Sequence, residues 1–265
     1  MLQEAADLLA EAEDLHGFLA TLTEDDWRRP TTFKSWTPWD VVAHLHMFDA
    51  VSLLAVEGGE PFVARRAELG AFMQRGERLT DICLRELGAF GPADLLARWI
   101  ATCRTMAAAL GALEPDRRLP WFGPGMGVRM FTTARLMETW AHGQEVYDMK
   151  RVHRAPTDRL RHICVLGVKT FGWTFANRGQ QPPGPPPRVR LTAPSGAIWE
   201  WNEASESGLV EGSAHDFCLT VAQVRNVADT ALRVEGDVAQ RWMAIAQCFA
   251  GGAEDPPKPG ARVWR

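Results

Sequence analysis

Trp36-Thr37-Pro38-Trp39-Asp40-Val41-Val42-Ala43-His44-Leu45 is the stretch on which the reading of this chain turns. Thr37 is a good N-cap, Pro38 suits the first helical position, and Asp40 falls where a capping box places its acid. A helix therefore starts here. It runs to about Glu57, where Gly58-Gly59 stops it. Val41, Leu45 and Phe48 mark its apolar stripe, and His44 sits at the edge of that stripe. In a bundle such a position can point inward, toward another helix. His46 lies about 200° further round the helix. It cannot easily share a mononuclear site with His44 and reads as a surface or packing histidine. Asp40 can support His44 from the preceding turn, but its capping role explains it as well and is preferred.

Outward from this helix, the first half of the chain reads as helical. In residues 2–22, Leu8, Leu9, Ala12, Leu15, Leu19 and Leu22 recur at helical spacing with acids between them. Residues 61–88 and 92–113 give two further helical patterns, separated at Gly91-Pro92. The Gly/Pro loop Pro120–Gly127 is expected to hold no regular structure. Helix returns over 128–149 and again over 157–178. The character then changes: residues 180–187 contain five prolines and a glycine, which reads as a linker or domain edge. Beyond it, 188–192 and 197–201 look like strands around a Pro194-Ser195-Gly196 turn. Strand character recurs at 209–211 and 232–235, and helical character at 214–226 and 237–249. The expected architecture is a helical bundle over residues 1–180 followed by a small α+β domain over 181–265.

Composition narrows the function. The 265 residues carry a net charge of −4, with 46% hydrophobic and 23% charged residues. No dense Lys/Arg run appears, which argues against a nucleic-acid surface. Cys83, Cys103, Cys164, Cys218 and Cys248 form an odd set with no CxxC spacing. They read as buried free thiols, and a reducing, cytoplasmic setting is the expectation. The N-terminal segment is acidic and amphipathic, unlike a signal peptide. No apolar run approaches the ~20 residues of a membrane span. Small-molecule substrates and a monomer or homodimer are expected.

Glu138 and His142 lie four residues apart on the 128–149 helix, so both face the same way. Carboxylate and imidazole are normal ligands for zinc and related divalent metals. On spacing alone the pair can equally be a Glu and a His stabilising one helix face. His44, from the first helix, is the third candidate. Ligands projecting from facing helices are a known bundle solution.

The quoted stretch resembles the W-x-x-x-D-x-x-x-H-L segment of the DinB-like superfamily, and more closely the N-terminal domain of mycothiol-dependent maleylpyruvate isomerases. The resemblance implies that the bundle is a DinB-like four-helix bundle. It implies that His44, with Glu138 and His142 of Glu138-Thr-Trp-Ala-His142, binds a divalent metal, expected to be zinc. Residues 210–225 and 232–237 are similar to the family's sterol-carrier-like C-terminal domain. That domain supplies an arginine facing the metal, and the matching position is Arg225. A plain surface arginine is the alternative.

The implied chemistry uses mycothiol or another low-molecular-weight thiol. The thiol adds to a cis enone acid, the resulting single bond rotates, and loss of the thiol gives the trans isomer. Trp121, Phe122 and Met126 can wall the pocket or simply tether their loop to the bundle. Arg129 and Arg135 are further candidates to face the cleft. Two other functions stay open. One is a thiol-independent metal-dependent lyase, hydrolase or cyclase. The other is a metal-braced, non-catalytic small-molecule binder.

Overall fold

The computed structural model describes residues 2–123 and 125–262. Pro124, in the Gly/Pro loop, lies outside them. The chain divides into two compact units, residues 1–150 and 151–265.

The first unit is built on four long helices: α1 (Gln3–Leu19), α3 (Pro38–Glu57), α6 (Pro92–Gly111) and α7 (Val128–Lys150). α1 packs on α6 and α7, and α3 packs on α6 and α7, closing a four-helix bundle. Leu8, Leu15 and Leu19 of α1, Leu45 of α3, Trp99 of α6 and Phe131 of α7 are buried in it. Between α1 and α3 stands the short α2 (Glu24–Arg28), capped by Thr23 and Asp26. α3 begins as its sequence requires: the Thr37 side chain accepts from the Asp40 amide, and the Asp40 carboxylate accepts from the Thr37 amide and hydroxyl at 2.8 and 2.7 Å. It ends at Gly58, whose φ of 75° suits glycine.

The single helical pattern expected over 61–88 is two helices, α4 (Glu60–Gln74) and α5 (Leu79–Leu87). Gly76, at φ 77°, turns the chain between them. The Gly/Pro loop is also more regular than expected. β1 (Arg118–Leu119) pairs antiparallel with β2 (Met126–Gly127) and closes it as a hairpin leading into α7. By length and composition α3 could cross a membrane, with a mean hydropathy of 1.3. The expectation that no run comes near that length therefore fails for α3. Its flanks are taken by α5, α6 and α7.

The second unit starts with α8 (Leu160–Lys169) and α9 (Phe171–Ala176). These replace the one helix expected over 157–178. Thr170 marks the break, its hydroxyl donating to the carbonyls of Leu166 and Gly167. A four-stranded sheet follows, made of β3 (Arg188–Thr192), β4 (Ile198–Trp201), β5 (Leu209–Ser213) and β6 (Arg233–Glu235) in the order β4-β3-β5-β6. β3 and β5 are parallel and the other pairs antiparallel. Two helices, α10 (Ala214–Val221) and α11 (Asp237–Ile245), accompany it. Val189, Leu191 and Val210 of the sheet are buried, as are Phe171, Phe217 and Trp242 of the helices. The alternate sheet positions form an ion-pair ladder, with Arg190 on Glu200 (2.9 Å) and Glu211 (2.8 Å), and Arg233 on Glu211 (3.2 Å).

The boundary thus lies at 150/151 rather than near 180, because α8 packs on α10 of the second unit. Gly167 permits that approach: a Cβ there would sit 2.9 Å from side-chain atoms of Phe217 and Val221. All five cysteines are buried free thiols.

Candidate metal centre

α3 and α7 carry the three predicted ligands to one point. His44 Nε2 lies 3.2 Å from Glu138 Oε2, and His142 Nε2 lies 3.3 Å from the same oxygen. Their ligand atoms all fall within 4.8 Å of one another. The two imidazole centroids are 4.6 Å apart. His44 is buried, and Glu138 and His142 are half-buried. Among the described residues this is the only group of three or more His, Cys, Asp or Glu side chains arranged to hold a metal.

The electrostatics follow from burial. Burial, reinforced by His142, pushes the His44 ring down to about 4, against the pull of Glu138. His44 is therefore neutral at pH 7, and release of the Nε2 proton that reaches Glu138 frees a lone pair for an ion. Burial alone would raise the Glu138 carboxyl, but hydrogen bonds from His142 and His44 win and hold it well below the usual range. Two imidazoles and an ionised carboxylate, all aimed at one point, are a donor set that zinc and similar divalent ions take. The residues present fit such an ion.

Rings surround the centre. Trp36 lies 5.2 Å from His142, nearly parallel at 14°, and 5.3 Å from His44. Phe33 meets His142 edge-on at 5.1 Å, and Phe48 lies 4.9 Å from His44. The sequence quoted above contains Trp36, but ring stacking is tertiary and no local signal announces it. Behind the centre, α3 and α7 are tied by a buried ion pair. Arg135 donates to Asp49 Oδ1 through Nε (3.1 Å) and Nη2 (2.9 Å), while Trp99 Nε1 donates to Asp49 Oδ2 (3.1 Å). Burial pushes the Asp49 carboxyl up, and Arg135 and Trp99 oppose that. Arg135, expected toward a cleft, is instead buried on Asp49.

The remaining predicted residues divide. Trp121 is buried between Phe62 and Phe131, and with Phe122 it reaches Phe48, one ring removed from His44. Met126 is half-buried in β2, opposite Leu119. Arg129 has a partner on α1. It precedes Glu138 by nine residues, half a turn away on the helix, and it pairs with Glu4 of α1 at 3.0 Å. Arg225 follows α10 in the second unit, where it is buried and donates to the Val224 carbonyl at 3.0 Å. Asp40 is engaged by its cap, and His46 stands apart from the cluster.

Fold and centre define a class: a four-helix bundle with a two-histidine, one-carboxylate centre, followed by a small mixed α+β unit. Within that class, the chain belongs to the family of the mycothiol maleylpyruvate isomerase N-terminal domain, whose description matches residues 8–147. It is 41% identical over 259 residues to uncharacterized proteins from two strains of Mycobacterium tuberculosis, covering 96% of each chain. Its fold matches the crystal structure of the mycothiol-dependent maleylpyruvate isomerase with a TM-score of 0.55 at 12% identity, over 88% of this chain and 91% of that one. A single-residue mutant of that isomerase matches with a TM-score of 0.53, also at 12% identity, over 83% and 88%.

Proposed function

We propose that this chain is a metal-dependent isomerase or thiol transferase, acting by thiol addition–elimination or thiol transfer on a small unsaturated carbonyl acid. The observation that carries the reading is the convergence of His44, Glu138 and His142 within 4.8 Å. Three protein ligands match the open arrangement of catalytic rather than structural zinc. A bound divalent ion would supply Lewis acidity and lower the pKa of a thiol or water at its open position. The chain's own residues set the conditions for that. His44 stays neutral through burial, and Glu138 stays ionised through its two imidazole partners. Trp36, Phe33 and Phe48 pack against the imidazoles and lower the polarity around them, which strengthens the charge interactions at the centre. Family membership supports mycothiol as the thiol.

Arg225 belongs to this proposal as the cation that holds a substrate carboxylate or enolate oxygen by charge-assisted hydrogen bonds. Arg225→Lys retains charge but loses the planar fork. It is expected to lower turnover while leaving metal content unchanged.

The deciding experiment is calorimetric titration of the metal-loaded chain with mycothiol, followed by turnover assays on a panel of cis-unsaturated oxo acids. Saturable thiol binding with thiol-dependent isomerisation or adduct formation is expected. Turnover without thiol, or no thiol binding at all, defeats the reading.

A further inference from the structure

Phe33-Lys34-Ser35-Trp36 forms a tight turn closed by the Trp36 amide, which donates to the Phe33 carbonyl at 2.8 Å. Lys34 and Ser35 are both left-handed, with φ 48° and 58°. Two consecutive residues of this kind form the turn for which Asn-Gly is the usual pair. Lys and Ser are poorly suited to it, and such strain persists only where the surroundings over-determine it. Here they do. The Thr31 amide donates to the Trp36 carbonyl (2.7 Å), the Phe33 amide to Thr31 Oγ1 (3.2 Å), and the Thr32 hydroxyl to Glu145 of α7 (3.4 Å).

The turn presents two rings to the ligand histidines. The Trp36 indole lies along the face of His142 and also reaches His44, and Phe33 closes on His142 from its edge. Neither supplies a ligand atom, since an indole nitrogen only donates. What they supply is restraint. A half-buried imidazole on a helix face otherwise has broad freedom about its terminal torsion.

We propose that the strained Phe33–Trp36 turn is a positioning device for the metal centre, with Trp36 fixing the ring planes of His142 and His44 so that both Nε2 atoms already meet Glu138 before an ion arrives. This rests on the reading of the triad as a metal site. Trp36 is a positioning residue in this scheme. Once an ion draws density from His142, the indole face also favours the more positive ring beside it. The turn's backbone strain is then a consequence of where the ring must stand, not a requirement of binding itself.

The test compares zinc affinity, by competition with a chromophoric chelator, across the full-length wild type, Trp36→Ala, Trp36→Phe and the double variant Lys34→Asn/Ser35→Gly. Trp36→Ala is expected to bind zinc about 10–100-fold more weakly, the range typical for partners that orient metal ligands. Trp36→Phe keeps an aromatic face and recovers most of that loss. The double variant relieves the turn without moving the rings, so it keeps wild-type affinity and melts no lower. A folded Trp36→Ala protein with wild-type zinc affinity overturns the proposal, even if its melting temperature falls. Should Trp36→Ala not fold, copper(II) titration decides between wild type and Trp36→Phe. Bound copper is expected to quench a share of wild-type tryptophan fluorescence that the variant lacks, and equal quenching in both overturns the proposal. If wild type takes up no zinc, the metal reading itself falls and the inference falls with it.

Discussion

At the scale of single residues, two arginines on one helix show how placement decides consequence. Arg135 and Arg129 both stand on α7, three and nine residues before Glu138. Arg135 is buried on an equally buried Asp49, while Arg129 meets Glu4 with its own side chain largely in solvent. Arg135→Met strands the Asp49 carboxylate without its cation and is expected to cost roughly 3–5 kcal/mol. Arg129→Ala removes a pair whose arginine is mostly in solvent, though Glu4 is largely buried, and is expected to cost about 1 kcal/mol, well below the Arg135 variant. Urea unfolding of the two variants against wild type measures both, as midpoint shifts at unchanged slope. Similar midpoints for the two would refute the distinction. Helical arithmetic alone separates Arg129 from the centre, since nine residues is two and a half turns. The Arg135–Asp49 bond, by contrast, joins residues 86 positions apart, and no local pattern reveals it. His44, Glu138 and His142 were legible for the opposite reason. Two share an i, i+4 face, and the third sits in a short stretch whose Thr37–Asp40 cap starts the helix that carries it.

At the scale of elements, the cap of α3 was the most legible feature, because a capping box is written in four adjacent residues, here Thr37 to Asp40. A second box, Thr23 with Asp26, caps the short α2. The second carries a pH signature. A hydrogen bond from Lys150 and another from the Thr23 amide bring the Asp26 carboxyl from 3.8 to about 2. The unfolded carboxyl titrates near its ordinary value. The stabilisation is therefore complete above about pH 4 and is lost as pH falls toward 2. Asp26→Asn is expected to cost about 1 kcal/mol at neutral pH through the weakened cap. It should also flatten that part of the stability curve between pH 4 and 2, as followed by circular dichroism in urea. A variant with the full wild-type acid dependence would show that Asp26 is not the group responsible. Helix breaks were less legible. Gly76 and Thr170 divide segments whose apolar spacing runs straight through them, and in each case the decision is made by a turn conformation or a hydroxyl bond formed only on folding.

At the scale of the whole molecule, the two-part architecture was legible but its seam was not. The proline-rich segment looks like a linker, yet it is tied into the second unit. Asn202 Nδ2 donates to the Pro187 carbonyl, Ser205 Oγ to that of Pro186, and Ser207 Oγ to that of Pro185. The seam follows Lys150, where Arg151 takes φ 56° with no glycine to advertise the turn. Composition marks where a chain cannot be helical, and contacts alone decide which unit a segment joins. The function proposed for the whole depends on the triad binding an ion, and metal analysis of the purified chain tests this most directly. The account predicts about one equivalent of divalent metal in wild type. It predicts much less in His44→Ala, Glu138→Gln and His142→Ala, each with its helical circular dichroism intact. A folded His142→Ala protein that retains the full wild-type equivalent would contradict it.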